Sequence, residues 1–265
     1  MLRFFDTHAH FEGTDTVSIL DRAMAACVVR VMAVGGSDRL NAGAVAAAKA
    51  RPGQVCLALG FDRDQVGLAT PDTCCLALRE LLETVGIKLS AVGEIGLDYH
   101  YAPETRELQC GLFSAQLGLA AEWALPVSIH TREADEDTLR VLDSVVWPHQ
   151  KPRGIIHCYT GGEAFAEELL SRGFMISFSG IVTFRNADAL RRVAAVVPDD
   201  RLLVETDSPF LAPVPLRGQT NEPAFVAHTA ECIAKQRGCG VSELAELTYQ
   251  NAVSLLWPQQ GGENE

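Results

Sequence analysis

Eight short apolar segments, rich in β-branched residues, recur along this chain and alternate with longer segments of helical periodicity. Such alternation is typical of repeated βα units, in which successive parallel strands are joined by helices. The predicted strands are Phe4–His8, Val28–Val34, Val55–Leu59, Ala91–Ile95, Val127–His130, Gly154–His157, Phe174–Phe178 and Leu202–Glu205. Eight βα units close on themselves, so this count predicts a TIM (β/α)8 barrel.

The segments between the predicted strands carry apolar residues at the spacing of one helix face. The predicted helices are Val17–Ala26, Leu40–Ala50, Asp72–Val85, Glu104–Ala121, Ala134–Val145, Glu163–Ser171 and Asp188–Val196, with Pro223–Arg237 and Ser242–Leu255 closing the chain. No linker or shift in composition interrupts this pattern, which predicts one domain over residues 1–258. The polar, glycine-rich segment 259–265 is expected to fray.

An open, doubly wound sheet would show a similar alternation of strands and helices. That fold normally places a glycine-rich phosphate-binding loop directly after its first strand. Here the first strand leads instead into His8-Ala9-His10, and Gly35-Gly36 after the second strand is too short for such a loop. The sequence therefore favours the closed barrel.

Charge and composition restrict the partners of the chain. It has 265 residues, of which 48% are hydrophobic, and a formal net charge of −12. This charge opposes broad attraction to polyanions, so any contact with nucleic acid must be local. No apolar segment suits a secretory signal or a membrane span, which predicts a cytoplasmic protein without membrane association. The eight cysteines form no CxxC pair and are expected to be reduced, and nothing indicates an obligate protein partner.

Polar residues mark the ends of five of the eight predicted strands. In a TIM barrel, the chemistry takes place at the carboxyl ends of the strands. The residues found there are His8 and His10 at the first strand, Glu94 at the fourth, His130 at the fifth, His157 at the sixth and Asp207 after the eighth. Each alone is compatible with a hydrogen-bonded core residue. Together they would bury several polar groups at one mouth, the carboxyl-terminal opening of the barrel, without a counter-ion. Burying unpaired polar groups costs free energy, and a bound metal ion would remove this cost.

Histidine and carboxylate ligands without thiolates suit zinc, magnesium, manganese or iron. Six ligands exceed the usual protein complement of a single catalytic ion, so the sequence predicts two divalent ions. In this arrangement Glu94 bridges the ions, His8, His10 and Asp207 bind mainly one of them, and His130 and His157 bind the other. A two-metal centre lowers the pKa of a bound water, which implies hydrolysis.

Two arginines and three further histidines complete the polar residues of interest. Arg132 lies just beyond the fifth strand, and Arg217 follows the last one. A guanidinium group binds phosphate oxygens in a fork, so either arginine could clamp an anionic substrate, with surface ion pairing as the ordinary alternative. His100 is placed either to reach the mouth or to be solvated, and His149 and His228 are expected to be structural or exposed.

Seven motifs occur in order and span nearly the whole chain. They are Asp6–His10, Val92–Tyr99, Pro126–Ala134, His157–Gly161, Ser179–Phe184, Glu205–Pro213 and Arg217–Pro223. With these motifs the chain resembles the TatD family of metal-dependent deoxyribonucleases, which are barrels of the amidohydrolase, metal-dependent hydrolase type.

This resemblance implies a ligand set, a substrate and a mechanism. The implied metal ligands are His8, His10, Glu94, His130, His157 and Asp207, and the implied cofactors are two divalent ions per chain, zinc, magnesium or manganese. The implied substrate is DNA or a smaller phosphodiester. Glu94 and Asp207 would be the catalytic carboxylates, with Asp207 helping to remove the proton of the attacking water, and Arg132 and Arg217 would contact phosphate.

One position departs from the family pattern. After the third strand the family usually carries Gly, a branched residue and then His-Pro, whereas this chain has Asp62-Arg63 after Gly60-Phe61. An ionised Asp62 at the mouth would repel a phosphate unless a metal or Arg63 compensates it. Two other hypotheses therefore stay open: a related barrel hydrolase acting on a cyclic amide, lactone or acylated amine, and a non-catalytic metal-binding protein.

Overall fold

The eight predicted strands form a single parallel sheet. The computed structural model describes residues 2–13, 15–147 and 153–257. The strands are β1 (Phe4–Ala9), β2 (Val28–Gly36), β3 (Val55–Phe61), β4 (Leu89–Asp98), β5 (Val127–Arg132), β6 (Gly154–Ile156), β7 (Phe174–Phe178) and β8 (Leu202–Val204). Each strand pairs in parallel with the next, in the order β1 to β8. The sheet curves into a TIM barrel, which confirms the predicted fold.

The helices surround the barrel at the predicted places. They are α1 (Thr16–Ala25), α2 (Asp38–Ala50), α3 (Pro71–Val85), α4 (Arg106–Glu122), α5 (Asp135–Asp143), α6 (Glu163–Ser171), α7 (Asp188–Val196), α8 (Val226–Arg237) and α9 (Val241–Leu256). Helix α8 begins later than predicted because Pro223–Phe225 forms a separate 3-10 turn. No helix within the described ranges is both long and apolar enough to cross a membrane. The segment 259–265, predicted to fray, lies outside the described residues.

Strand β4 extends three residues beyond its predicted carboxyl end, from Ile95 to Asp98. The extension continues to pair with β5, where Gly96 lies opposite His130. Gly96 has a φ of +137°, and a Cβ at this position would collide with the carbonyl oxygen of His130. The glycine that weakens strand propensity in the sequence is therefore what lets two strands approach closely beside the predicted site.

The seam between β8 and β1 is closed by polar groups at the carboxyl end of the barrel. The amide of Asp207 donates to the carbonyl of His8 at 2.9 Å. The buried carboxylate of Asp6 accepts hydrogen bonds from the amide and the hydroxyl of Thr206, at 2.8 and 2.6 Å. A side chain thus supplies the connection that a continuous strand ladder would otherwise make.

Apolar side chains fill both faces of the sheet, as the alternation along β1 illustrates. Phe4 belongs to the cluster between strands and helices, whereas its neighbour Phe5 belongs to a second cluster. The second cluster includes Met32, Cys56, Ile155 and Leu203 from other strands, together with Tyr249, Ala252, Leu255 and Leu256 of α9. Successive residues of a strand point to opposite faces, so this second cluster fills the barrel interior.

Three amide side chains on helices bind the backbone at strand ends. The pairs are Asn41 with Gly60, Gln109 with Asp98, and Gln116 with Phe61. In each pair the amide oxygen accepts from the backbone N–H and the amide nitrogen donates to the carbonyl, at 2.7 to 3.2 Å. All three amides are buried. They satisfy backbone groups and fix the strand ends that carry the candidate site.

Candidate metal centre

All six predicted metal ligands lie together at the carboxyl ends of the strands. His8 is in β1 and His10 directly follows it, Glu94 is in β4, His130 is in β5, His157 follows β6 and Asp207 follows β8. Every side chain of the set is at most 17% exposed. The sequence-based grouping at one mouth therefore corresponds to a compact buried cluster.

His8, His10 and Asp207 form one half of this cluster. The Nε2 atoms of His8 and His10 are 3.2 Å apart, and the Oδ1 atom of Asp207 is 3.7 Å from the Nε2 atom of His10. Two nitrogens bound to the same zinc ion at about 2.0–2.1 Å lie roughly 3.3 Å apart. The two imidazoles and the carboxylate therefore fit a single cation.

Glu94 lies between this half and the other one, which contains His130 and His157. Its Oε2 atom is 3.6 and 3.4 Å from the Nε2 atoms of His8 and His10. Its Oε1 atom is 3.4 Å from both the Nδ1 atom of His130 and the Nε2 atom of His157. Burial opposes ionisation, but the charge of His157 and the close contacts with three histidines hold the pKa of Glu94 well below its usual range. One ionised oxygen thus faces each half, as a bridging ligand requires.

The second nitrogen of each histidine has a hydrogen-bond partner that orients the ring. The partners are the carbonyl of Val34 for His10 at 3.0 Å, Asp98 for His130 at 3.0 Å, Glu205 for His157 at 3.3 Å and the hydroxyl of Ser128 for His8 at 3.3 Å. For His10, His130 and His157 the partner is a carbonyl or a carboxylate, which can only accept, so that nitrogen carries a proton and the nitrogen that faces the cluster is the one that a cation could bind. Such partners are usual for histidines that bind metals.

These orienting residues were given no role by the sequence, although a signal was available. Asp98 and Glu205 lie close to the ligands Glu94 and Asp207, in the same strand-end motifs. A histidine ligand needs an acceptor for its N–H group, so carboxylates in those motifs are natural candidates.

His157 shows most directly that a positive charge belongs in this cluster. Its Nε2 atom is buried and has no hydrogen-bond partner among the described residues, although Oε1 of Glu94 lies 3.4 Å away. Burial lowers the pKa of His157, but the negative charge of Glu94 and the hydrogen bond with Glu205 outweigh it and raise the pKa to about 10. A proton or a metal cation must therefore lie between the two atoms, and the donors present fit a divalent cation.

His8 and His157 cannot both be charged. Their rings stack with centroids 3.8 Å apart. Burial, followed by the positive charge of His157, lowers the pKa of His8 to about 3. His8 is thus neutral and keeps a lone pair for a cation.

Asp207 is the most exposed carboxylate of the cluster, at 14% for its side chain against 4% for Glu94. Its backbone is left-handed, with a φ of +57°, a conformation that Asp tolerates better than most residues. Burial raises the pKa of Asp207 to about 6, although the positive charges of His157 and His10 oppose the shift. It is the carboxylate best placed to meet a substrate and to accept a proton.

Asp62 and Arg63, which depart from the family pattern, have different neighbours from those expected. The Oδ1 atom of Asp62 accepts from the amide of Asp64 at 2.9 Å and from Gln65 at 3.3 Å, so this carboxylate caps its own turn. Burial, and then the charge of Glu94, raises the pKa of Asp62 to about 7, although the charge of Arg63 opposes the shift. The guanidinium of Arg63 donates from Nη1 to Oε1 of Glu94 at 2.7 Å. Arg63 thus pairs with the predicted bridging ligand rather than with its neighbour.

Arg132 and Arg217 form no ion pair with any residue in the described ranges, so the ordinary alternative of surface pairing is not observed. The guanidinium of Arg132 lies 5.0 Å from the ring centroid of Tyr101, and that of Arg217 lies 3.8 Å from the ring centroid of Phe184. Arg132 also lines a cavity of about 290 Å³, with Thr131, Glu133, Asp135, Thr160, Gly161 and Phe165. Both charges are available to an anionic ligand.

Two of the remaining histidines, His100 and His228, take no part in the cluster. His100 is exposed and pairs with Glu133 at 2.7 Å, and His228 lies 3.5 Å from Glu231 within α8. His149 lies outside the described residues. A larger cavity of about 1060 Å³ opens at the opposite, amino-terminal ends of the strands, beside Arg30 and Trp257. In TIM barrels the chemistry takes place at the carboxyl ends of the strands, so the buried cluster of histidines and carboxylates, and not this larger cavity, is the candidate functional site.

Comparison with known proteins agrees with this geometry. The family model described as "TatD related DNase" matches residues 5–257. The uncharacterized metal-dependent hydrolase YabD of Bacillus subtilis is 37% identical over 257 residues, which cover 95% of this chain and 98% of that protein. The uncharacterized metal-dependent hydrolase YcfH of Escherichia coli is 48% identical over 182 residues, 68% of this chain and 66% of that protein.

A solved structure extends the comparison to three dimensions. The structure of YJJV, a TatD homolog from Escherichia coli K12, superposes with a TM-score of 0.87 at 29% identity, covering 96% of this chain and 98% of that one. The fold, the clustered histidines and carboxylates, and the match over almost the full length agree. The chain therefore belongs to the TatD family of metal-dependent hydrolases.

Proposed function

We propose that this protein is a divalent-metal-dependent phosphodiesterase that cleaves DNA or a smaller phosphodiester. The observation that carries the proposal is the position of Glu94, with one carboxylate oxygen facing His8 and His10 and the other facing His130 and His157. A carboxylate between two sets of nitrogen ligands suits a pair of cations. The description of the family model as a TatD related DNase supports the choice of substrate.

Bound at these ligands, divalent ions would supply an acidified water and would draw charge from the scissile phosphate. His8, His10 and Asp207 would hold one ion, His130 and His157 the other, and Glu94 both. The side chain of Asp207 accepts the proton of the attacking water, because it is the more exposed of the two carboxylates in the ligand set and is therefore the one that such a water can reach.

Substrate binding rests on the two arginines that lack an ion-pair partner in the described part of the chain. Arg132 presents its guanidinium beside the cavity near the strand ends, and Arg217 is exposed on the loop after β8. A guanidinium group binds two phosphate oxygens with two parallel hydrogen bonds, and this interaction becomes stronger as water is excluded. The net charge of −12 opposes binding along an extended stretch of DNA, so contact through a few arginines is the mode of binding that suits this chain.

Asp62 no longer favours hydrolysis of a cyclic amide, lactone or acylated amine. Its carboxylate caps the Arg63–Gln65 turn, and its pKa of about 7 reduces its negative charge near neutrality. A phosphate at the mouth therefore meets less repulsion than the sequence implied.

The test compares phosphodiesters with neutral substrates on the purified, metal-replete protein. Single- and double-stranded DNA and bis(p-nitrophenyl) phosphate form the first set, and a panel of lactones, cyclic amides and acylated amines forms the second. We expect turnover of the first set that is lost with chelator and in His130→Ala. Turnover of the second set alone would identify the alternative hydrolase, and bound metal without any turnover would identify a non-catalytic protein.

A further inference from the structure

We propose that Arg63 makes the two halves of the metal centre unequal, so that the half with His130 and His157 binds a divalent cation more weakly than the half with His8, His10 and Asp207. This inference rests on the metal centre of the proposed function but is independent of which bond the protein hydrolyses. It assigns a role to a residue that neither the ligand set nor the phosphate contacts include.

Arg63 binds the oxygen of Glu94 that faces His130 and His157. Nη1 of Arg63 lies 2.7 Å from Oε1, the same oxygen that lies 3.4 Å from His130 and from His157. A carboxylate oxygen has two lone-pair directions, and a metal-bound oxygen uses one of them. The guanidinium uses the other and brings a full positive charge, at 19% side-chain exposure, beside the site of the second cation. Two cations on one oxygen repel each other, more strongly where water is excluded.

The half of the centre that contains His8, His10 and Asp207 has no arginine beside it in the described ranges. Oε2 of Glu94 accepts from no arginine in the described ranges, and Asp207 forms ion pairs there only with His8 and His10. The half with Asp207 thus has an extra carboxylate and no competing guanidinium. In the other half, the carboxylates of Asp98 and Glu205 lie behind the imidazole rings, on the nitrogens that face away from Glu94. Those carboxylates offset the charge of Arg63 only from a distance.

Arg63 uses only part of its hydrogen-bonding capacity in its contact with Glu94. Within the described residues its hydrogen bond to Glu94 is the one its guanidinium makes. Its buried Nε atom has no hydrogen-bond partner there, and the nearest carboxylate oxygen of Asp64 is 3.6 Å away. A buried donor without a partner is rare in a contact that serves stability alone. The position of Arg63 is better explained by the negative charge of Glu94, which the guanidinium partly neutralises and so makes less available to a second cation.

The experiment titrates the chelator-treated full-length protein with Mn²⁺ by calorimetry and measures retained metal after gel filtration. For the wild type we expect two separable steps, with the second at least tenfold weaker. In Arg63→Met the second step should tighten by tenfold or more while the first stays unchanged. Arg22→Met is the matched control, because Arg22 pairs with Glu222 at 2.7 Å outside the centre, and it should behave as the wild type.

Two further variants keep the test decisive if Arg63→Met does not fold. Arg63→Lys retains the positive charge and should keep the weak second step, whereas Arg63→Gln removes the charge and should tighten it. The proposal is overturned if the wild type binds two ions with equal affinity, or if the second step is the same in Arg63→Met, Arg63→Gln and Arg63→Lys. Because no substrate is present, a failure of the phosphodiesterase assay leaves this result unaffected.

Discussion

The carboxylate of Glu205 accepts a hydrogen bond from Nδ1 of His157 at 3.3 Å, and the same oxygen accepts the amide of Cys158 at 2.7 Å. Glu205 is fully buried and follows β8, two residues before the predicted ligand Asp207. The contact leaves the Nε2 atom of His157 free for a cation and makes the ring a stronger donor. A carboxylate outside the ligand set thus orients the ring of one predicted ligand and increases its basicity.

We expect Glu205→Gln to weaken metal binding by about 10- to 100-fold, since the amide can accept the hydrogen bond but carries no charge. Calorimetric titration with Mn²⁺ measures the effect. Glu222→Gln, which removes a carboxylate at the surface pair with Arg22, is the matched control and should leave metal affinity unchanged. Equal affinity in both variants would show that Glu205 does not act on the centre.

Arg132→Met should lower kcat/KM for DNA by about 10- to 100-fold, because a hydrogen bond to a charged group contributes about 1.5–3 kcal/mol. The metal content should equal that of the wild type, because Arg132 forms no ion pair with any of the six predicted ligands, all of which lie in the described ranges. Arg79→Met is the control, since Arg79 pairs with Glu122 on the helical surface. An unchanged kcat/KM in Arg132→Met would remove this arginine from the phosphate site.

Gln116→Leu should lower the free energy of unfolding by about 2–4 kcal/mol, because two buried backbone groups of Phe61 would lose their partners. Both hydrogen bonds between Gln116 and Phe61 are 2.8 Å long. Urea unfolding at a fixed metal concentration measures the change. Gln250→Leu replaces an exposed glutamine on α9 and should change stability by less than about 0.5 kcal/mol. A similar loss in the two variants would contradict a specific role of the backbone contacts.

Asp137→Asn should destabilise the protein by about 1–2 kcal/mol at pH 7, and the difference from the wild type should shrink in acid. Although burial opposes it, hydrogen bonds from Tyr99, Arg106 and Arg140 hold the pKa of Asp137 well below its usual value of 3.8. The magnitude is moderate because the two arginines are 55% and 64% exposed.

The sign of this pH dependence follows from linkage. A carboxylate with a depressed folded-state pKa stabilises the protein above its unfolded-state value, and the contribution is lost as the pH falls below that value. Urea unfolding at pH 7, 5 and 3.5 should therefore show a constant difference between Asp137→Asn and the wild type down to about pH 5 and a smaller one at pH 3.5. A difference that does not depend on pH would assign the loss to packing.

The barrel was predictable because its strands are short, mostly apolar segments, because β1 and β7 are buried along their whole length, and because polar residues mark the carboxyl ends of five predicted strands. The same boundaries placed all six predicted ligands at one mouth. The position of these residues along their strands was enough to predict that they cluster. Closure of the sheet brings the carboxyl ends of the strands together, whatever contacts the individual side chains make.

Contacts of a particular side chain could not be predicted in this way. Gln109 and Gln116 are polar residues in a helical segment, which sequence periodicity assigns to the surface, yet both are buried against strand ends. The sequence offered Arg63 or a metal as a group that could compensate Asp62, and it did not indicate that the guanidinium donates a hydrogen bond to Glu94. Such partners depend on how loops and helices pack around the barrel, and this information is not contained in local sequence patterns.

The seam between β8 and β1 has a consequence for the order of folding. Asp6 and Thr206, which join the two strands, are separated by 200 residues, so their contact closes a loop of most of the chain. The entropy of closing so long a loop must be overcome before this contact forms, which makes the joining of the barrel ends a late event. His8 and Asp207 lie on opposite sides of that seam. A cation held between them would bind the closed ring more tightly than the open one, so bound metal would stabilise the seam against reopening.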